Sequence, residues 1–549
     1  MPAKAFSQQL NNEQPNEALR QKAYKQLESL AGQIGSLHSG ENRARMGSNI
    51  AESLWIHNES RARELFASVT REIKAGLQRD EKDTDSHHTV KVFLKLREDT
   101  ALRIAMHDPE WALRFLKETK PDDIKTSGET EDALNLRLAI QLAASRPDLA
   151  LQLGREFVKH GTSPDQLELL YEFSKKSPDT ASAFFEELVK SLSHNNIRYD
   201  EENQKFALML ARSFKSRPAD EPALRALMNQ FIDAAIASEC SKKKQPDNDS
   251  NYYCYRIGLI IPLMAKADPA RVAPMKHLAR SSSIYDWNPE YLKYADVYRN
   301  GSVDDLLAMI PEYPEFREFG QDVVIRKVWE SGDFDRARRL VDQFTWKPSS
   351  KQDVLKELDR QQRIANEDTS AELLKEAEAL RDENETFFYL FRMATEIGPN
   401  NPQTTVKLLD RASELLEKIS AEKWQTQYQI GIAIRYCQVK SDRCFMMMEP
   451  IVQKMNDLVS AATKLNGFDN RYLRNGEWNM TAEGGVGSLL TMLAQNAVYF
   501  ALCDFDRALA MSSKFERREI RMMAELKLAQ GVLQGPPRKP LFADEEVGE

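Results

Sequence analysis

The stretch Val328–Val341, VWESGDFDRARRLV, constrains the fold most, because it reads as the end of one helix, a tight turn and the start of a second. Its turn returns as CDFDRA at Cys503–Ala508. In ALCDFDRAL, Ala501 and Ala508 stand seven apart across a turn that carries Asp504 and Asp506. The same step joins Ala105 to Ala112, Ala143 to Ala150, Ser174 to Ala181, Trp55 to Ala62 and Ala265 to Val272. Helices that meet at a short turn bring their backbones close, so small side chains are expected at the joint. The Asp, Asn or Ser in each turn can cap the second helix. Pro109, Pro178 and Pro269 follow such residues, where a helix has no N–H to lose. One spacing in six places predicts a repeat of helical hairpins rather than a chance recurrence of caps. The expected fold class is all-α, an irregular α-solenoid of antiparallel helical hairpins.

At 549 residues the chain is long enough for a large continuous core. Its 42% hydrophobic and 29% charged residues are those of a folded chain, and 22 Gly with 23 Pro suit long helices and short connections. The net charge of −8 is interspersed, which argues against a phosphate-binding surface and against nucleic acid as a partner. Lys242–Lys244, the one basic run, reads as solvated. No run approaches eighteen apolar residues, so no membrane insertion is expected. The start, MPAKAFSQQLNNEQPNE, has no apolar signal-peptide core, which makes a cytoplasmic location the default and export the reading if a leader precedes it.

Five cysteines make no disulfide scaffold. Cys437 and Cys444 are seven apart in YCQVKSDRC and take the two positions that Ala501 and Ala508 fill. They are expected as buried neighbours within disulfide reach, thiols in a reducing compartment and bonded in an oxidising one. Cys240 and Cys254 flank the polar loop SKKKQPDNDSNYY. Without CxxC or His-rich spacing, zinc is not expected.

Organisation follows composition. Residues 1–16 read as a disordered tail, 17–239 as an N-terminal hairpin array and 240–251 as a polar loop. A middle array over 252–346 holds the densest aromatic segment, a C-terminal array spans 347–534, and 535–549 is a Pro-rich, then acidic, tail. Asn466–Gly487 interrupts the helical pattern as an irregular segment; single helices are expected over Gly487–Leu502 and Arg507–Leu533.

The turn Gly332–Ala337, GDFDRA, resembles the joint between the two helices of a tetratricopeptide repeat. Cys503–Ala508 matches it except for the Gly. The close resemblance covers about Val328–Val341 and Ala501–Met511. Tetratricopeptide units recur about every 34 residues, whereas here Ala105 to Ala143 is 38 and Ala143 to Ser174 is 31. That family's Trp…Leu-Gly opening and closing Pro are not found. The resemblance implies an α-solenoid that recognises peptides or proteins, and carries over no binding residues.

Candidate chemistry is sparse. AEGGVGSLLTML (Ala482–Leu493) runs a Gly-rich loop into a helix but lacks the Lys-Ser/Thr of a P-loop, so Ser488 is expected as a helix cap. His87 and His88 sit in a charged loop with no third ligand nearby. The 84 carboxylates are too many to single out a general acid or base, and Cys437 has no His near it in sequence. No catalytic residue, metal or cofactor is assigned. The sequons at Asn58, Asn248, Asn300 and Asn479 matter only in a eukaryotic secretory pathway. The candidate interaction surface is Tyr252, Tyr253, Tyr255, Tyr285, Trp287, Tyr291 and Tyr294, continued by Tyr298, Tyr313, Phe316 and Phe319; at helical spacing Trp287, Tyr291, Tyr294 and Tyr298 serve equally as a packing stripe. The expected function is a non-enzymatic protein- or peptide-interaction scaffold. The alternative is an all-helical enzyme with a cleft lined by carboxylates and aromatics.

Overall fold

A computed structural model describes residues 17–78, 86–121, 131–159, 161–194, 201–213, 221–237, 270, 297–298, 301–311, 317–346, 348–419, 422–466, 472–482 and 484–535. Among them the chain is all-α apart from one hairpin of two-residue strands. It forms two compact units, residues 1–96 with 303–549 and residues 97–302. The first unit brings together segments from the two ends of the chain.

That unit opens with α1 (Glu17–Gln33), α2 (Gly40–Leu54), α3 (Glu59–Leu77) and the start of α4 (Ser86–Ala105). It resumes with α12 (Val303–Met309), α13 (Arg317–Glu330), α14 (Phe334–Gln343), α15 (Pro348–Asn366), α16 (Ser370–Glu378), α17 (Glu383–Ile397), α18 (Pro402–Leu416), α19 (Glu422–Gln438) and α20 (Arg443–Leu465). Strands β1 (Leu473–Arg474) and β2 (Glu477–Trp478) precede α21 (Val486–Gln495), α22 (Ala497–Cys503), α23 (Phe505–Ser512) and α24 (Arg518–Gln534). The other unit holds the end of α4, α5 (Pro109–Glu118), α6 (Glu131–Leu142), α7 (Pro147–Val158), α8 (Pro164–Lys176), α9 (Pro178–His194), α10 (Glu201–Ser213) and α11 (Glu221–Ala237). From α6 to α11 each helix packs on its successor, and most on the next but one, the pattern of stacked antiparallel hairpins.

The capped turn behaves as the spacing requires. Asp333 accepts from Arg336 N at 2.9 Å, Asp504 from Arg507 N at 3.0 Å, Asp108 from Trp111 N at 2.9 Å and Asn58 from Arg61 N at 3.1 Å. Ala337, Ala508, Ala501, Ala105, Ala112, Ala143 and Ala150 are buried at their joints. Gly332 takes φ +83°, the left-handed conformation that lets the Gly-Asp turn reverse the chain. The small-residue rule fails at two of the described joints: Trp55 is a large, half-buried side chain beside Phe66, and the Ser174 joint differs in kind. Ser174 is exposed, and Phe173 meets Phe184 edge to face at 5.7 Å instead. The joint Ala265/Val272 lies outside the described residues.

Three expectations near the C-terminus are corrected. The single helix over Gly487–Leu502 is broken at Asn496 into α21 and α22, bent by 46°. The helix over Arg507–Leu533 is likewise two, α23 and α24, joined by a turn at 513–517. Ser488 is not the cap of α21. The cap position is Gly485, at φ +50°, and Ser488 accepts a bond from Gly484 N at 3.1 Å. A side chain at Gly487 would put Cβ 2.0 Å from the Ala482 carbonyl oxygen, so the helix can start here only on glycine.

The irregular segment 466–487 contains the hairpin. Asn475 and Gly476 both have positive φ, the Asn-Gly turn that fits a two-residue β-hairpin loop. It carries Trp478 into the core, stacked on Tyr472 at 5.3 Å. The Glu477 carboxylate accepts from His38 N at 2.6 Å, Ser39 N at 2.9 Å and Asn42 Nδ2 at 3.1 Å. Trp478 N donates to Glu519 at 2.7 Å, and Arg474 pairs with Glu41 at 2.9 Å. This hairpin therefore clasps the loop before α2 to the C-terminal helix α24. Alongside it, α1 packs lengthwise on α24.

No single helix among the described residues is long and apolar enough to cross a membrane. In the bent apolar pair α21–α22, Gly487, Leu490, Ala497, Val498, Phe500 and Ala501 are buried. At Gly531, α24 crosses α22 so closely that a Cβ would lie 2.6 Å from Val498 Cα.

Candidate binding site

The aromatic residues Tyr252, Tyr253, Tyr255, Tyr285, Trp287, Tyr291 and Tyr294 lie outside the described residues, as do Cys240, Cys254, the basic run Lys242–Lys244, residues 1–16 and 536–549 and the side chains of His87 and His88. Of the continuation, Tyr298 is buried and Phe319 is 42% exposed. The site that the described residues build lies elsewhere, among five C-terminal helices, and apart from Ala508 the sequence singles out none of its residues.

An apolar recess opens between α20, α21, α22, α23 and α24. Its cavity volume is about 60 Å³. Its floor is buried and includes Phe445, Met448, Leu490, Phe500, Phe515 and Ile520. Leu493, Ala494, Met511, Met523 and Ala524 are half-buried and form the mouth. Ser512 is the one hydroxyl in the wall, and its Oγ donates to the Leu509 carbonyl at 2.8 Å.

Local sequence explains how the recess is held open. The break at Asn496 bends α22 by 46° from α21, and both helices present residues to the recess. Asn456 of α20 reaches the α23–α24 turn, donating to Lys514 O at 2.9 Å and accepting from Glu516 N at 3.2 Å. That tie sets Phe515 into the wall. Arg507, in the first turn of α23, pairs with Asp442 at 2.6 Å and lies 4.6 Å from the centre of the Phe445 ring.

The disulfide stands at the same end of α20. Cys437 and Cys444 are bonded, with Cα atoms 5.2 Å apart and both side chains buried. The alignment of this turn with Ala501–Ala508 thus holds in space. Cys444 adjoins Phe445 of the recess floor. Cys503 is free and half-buried; burial, then the carboxylates of Asp504 and Asp442, pushes its thiol up.

A second feature flanks α21. Phe387, Phe388 and Phe391 of α17 surround Tyr428 of α19 at 5.1, 5.4 and 6.1 Å, each edge to face. Phe388 is 48% exposed. Gly431 leaves room for this group, since a Cβ there would meet Phe391 Cζ at 3.1 Å and Met492 Cε at 3.9 Å.

The titratable groups nearby are set for structure. Burial pushes the Tyr436 phenol far up, and it donates to Asp410 at 2.7 Å, where Arg443 also pairs. Burial also raises Tyr428, and Tyr389, bonded to Glu376, is pushed up to about 12 by burial and that carboxylate. These hydroxyls and the Cys503 thiol stay protonated near neutral pH. Among the described residues no group of three or more His, Cys, Asp or Glu side chains is placed to hold a metal ion. Of the sequons, Asn58 is a helix cap and Asn479 is buried with its Oδ1 taken by Thr481.

No protein-family model matches this chain, and no curated protein matches it in sequence. A solved chain described as "Circular tandem repeat protein with novel repeat topology and enhanced subunit contact surfaces" is similar at 12% identity, over 95% of this chain and 99% of that one. Its TM-score of 0.14 carries no argument about this fold.

Proposed function

We propose that this protein is a non-enzymatic interaction scaffold, and that the recess between α20 and α24 takes an apolar part of a protein or peptide partner. The supporting observation is the recess wall: sixteen residues, all apolar but for one hydroxyl that is already bonded within its helix. A concave apolar site with a half-buried, methionine-bearing mouth suits a desolvated anchor. It does not suit acid–base chemistry, since no titratable group lines it. This weighs against the alternative of a carboxylate-lined catalytic cleft for this site. The tetratricopeptide-like turn at Gly332–Ala337 fits a scaffold but supplies no contact residue.

A peptide-display selection against the full chain, run in parallel with Ala524→Phe, tests the reading. Ala524 is half-buried at the mouth, so a benzyl group there can cover the recess while the array stays folded. Sequences with an apolar anchor should enrich on the wild type and be lost on the variant. Enrichment of nothing above a no-protein control, or of the same sequences on both proteins, sinks the proposal.

A further inference from the structure

We propose that the Cys437–Cys444 bond is a redox switch: oxidised, it fixes the first turn of α20, and reduced, it releases that turn together with Phe445. Its effect on binding rests on the scaffold reading above.

The bond stands where other joints use local devices. At the starts of α5, α14 and α23 an aspartate caps the helix through side-chain bonds of 2.9 to 3.0 Å. At the α19–α20 joint Asp442 takes the cap position with helical angles, φ −57° and ψ −20°, and makes no such bond. Its carboxylate goes to Arg507 instead. The cap carbonyls of Asp108, Asp333 and Asp504 accept from Ala112, Ala337 and Ala508 N at 3.0, 3.0 and 2.9 Å, whereas Met446 N reaches Asp442 O at only 3.5 Å. Lys440 also takes φ +54°, the left-handed region that is costly for any residue but glycine. A covalent bond that holds the two Cα atoms 5.2 Å apart closes this joint in place of a cap.

What the bond holds reaches the recess. Phe445 follows Cys444 in the recess floor, and Met448 stands one turn on. Arg507 packs on the Phe445 ring while it pairs with Asp442, and Arg443 pairs with Asp410 of α18. Both cysteines are buried, so two unbonded thiols lack the room to turn aside without moving the turn.

The step is thiol–disulfide exchange with a small dithiol. One dithiol sulfur attacks the bond and displaces a cysteine, which takes a proton, and the second dithiol sulfur then frees the other cysteine. Two electrons and two protons pass to Cys437 and Cys444, and the dithiol leaves as a cyclic disulfide. Because both protein sulfurs are buried, attack follows local opening of the turn, where Lys440 and Asp442 are exposed.

The full chain is compared with and without dithiothreitol, its redox state read by alkylation and mass mapping. Reduction should speed amide exchange over residues 444–448 by about tenfold or more. Peptides that enrich on the oxidised wild type should bind the reduced form about tenfold more weakly. The double variant Cys437→Ala with Cys444→Ala places here the pair that Ala501 and Ala508 form in the α22–α23 hairpin. It should exchange at the reduced rate with or without dithiothreitol, and Cys503→Ser should respond as the wild type does. A bond that resists dithiothreitol in the folded chain, equal exchange in both states, or an alanine variant as protected as the oxidised protein overturns the switch. Faster exchange with unchanged peptide binding overturns its link to the recess. If no peptide binds either state, the scaffold reading alone fails, and the exchange rates still decide the switch.

Discussion

Gln26 Nε2 donates to Glu525 Oε2 at 2.8 Å, joining the first helix of the described chain to the last across 499 positions. Beside it Lys22 pairs with Asp506 at 2.5 Å. Burial raises the Glu525 carboxyl, against the opposing pull of Arg521 and Gln26. The native state therefore keeps a proton there at pH values where the unfolded chain has released it. That contribution is fully present below the unfolded carboxylate pKa near 4.5 and is lost as pH rises through the raised native value. Glu525→Gln should thus raise the thermal midpoint at pH 7.5 and flatten its decline above pH 4.5. A lower midpoint for the variant at both pH values contradicts this account.

The hairpin clasp should carry measurable stability. Glu477→Ala strips acceptors from His38 N, Ser39 N and the Asn42 amide in a buried setting. The expected cost is about 2–4 kcal/mol by denaturant unfolding. Protease cleavage near residues 36–40 should accelerate in the variant.

Two alanines at equivalent joints should respond differently. Ala337 is fully buried, so Ala337→Leu should overpack the α13–α14 joint and cost about 1–3 kcal/mol. Sequence alone predicts the same for Ala508. But Ala508 lines the recess, where a larger side chain finds room. Ala508→Leu should cost less than about 1 kcal/mol by denaturant unfolding and should weaken the binding of peptides that enrich on the wild type.

Gly531→Ala tests the closest helix crossing. In an isolated helix the change stabilises by about 0.5–1 kcal/mol. Here the new Cβ would sit 2.6 Å from Val498 Cα and 3.1 Å from its N, backbone that cannot rotate away. The clash outweighs the propensity gain, and a net loss of about 1–3 kcal/mol is expected. A raised midpoint would show that α22 and α24 are further apart.

Alkylation reads the cysteines. Without reductant, Cys437 and Cys444 should stay unlabelled in the denatured chain while Cys503 reacts. In the folded protein Cys503 should react slowly at pH 8 and faster as pH rises, because its thiol is pushed up by burial. Mass mapping of labelled peptides checks both.

What the chain alone determined is local. Helix caps, seven-residue spacing and apolar period act within a dozen residues, so the hairpins at Asp108, Asp333 and Asp504 and the facing of Cys437 on Cys444 could be read from the residues themselves. The break at Asn496 left only a weak mark, since Asn is tolerated inside a helix. The Asn475-Gly476 turn was a readable hairpin signal, but strands of two residues have no alternation to reveal them. Tertiary structure decided the rest: the meeting of α1 with α24, the clasp at Glu477 and the recess. The first two depend on surfaces hundreds of residues apart reaching one place, and the recess, built within Phe445–Leu528, is a mismatch between packed faces. An apolar side chain that lines a void and one that fills a core have the same sequence signature, because both are apolar at the same period. Only the fold places Ala508 in the wall of the recess and Ala337 in a buried helix joint.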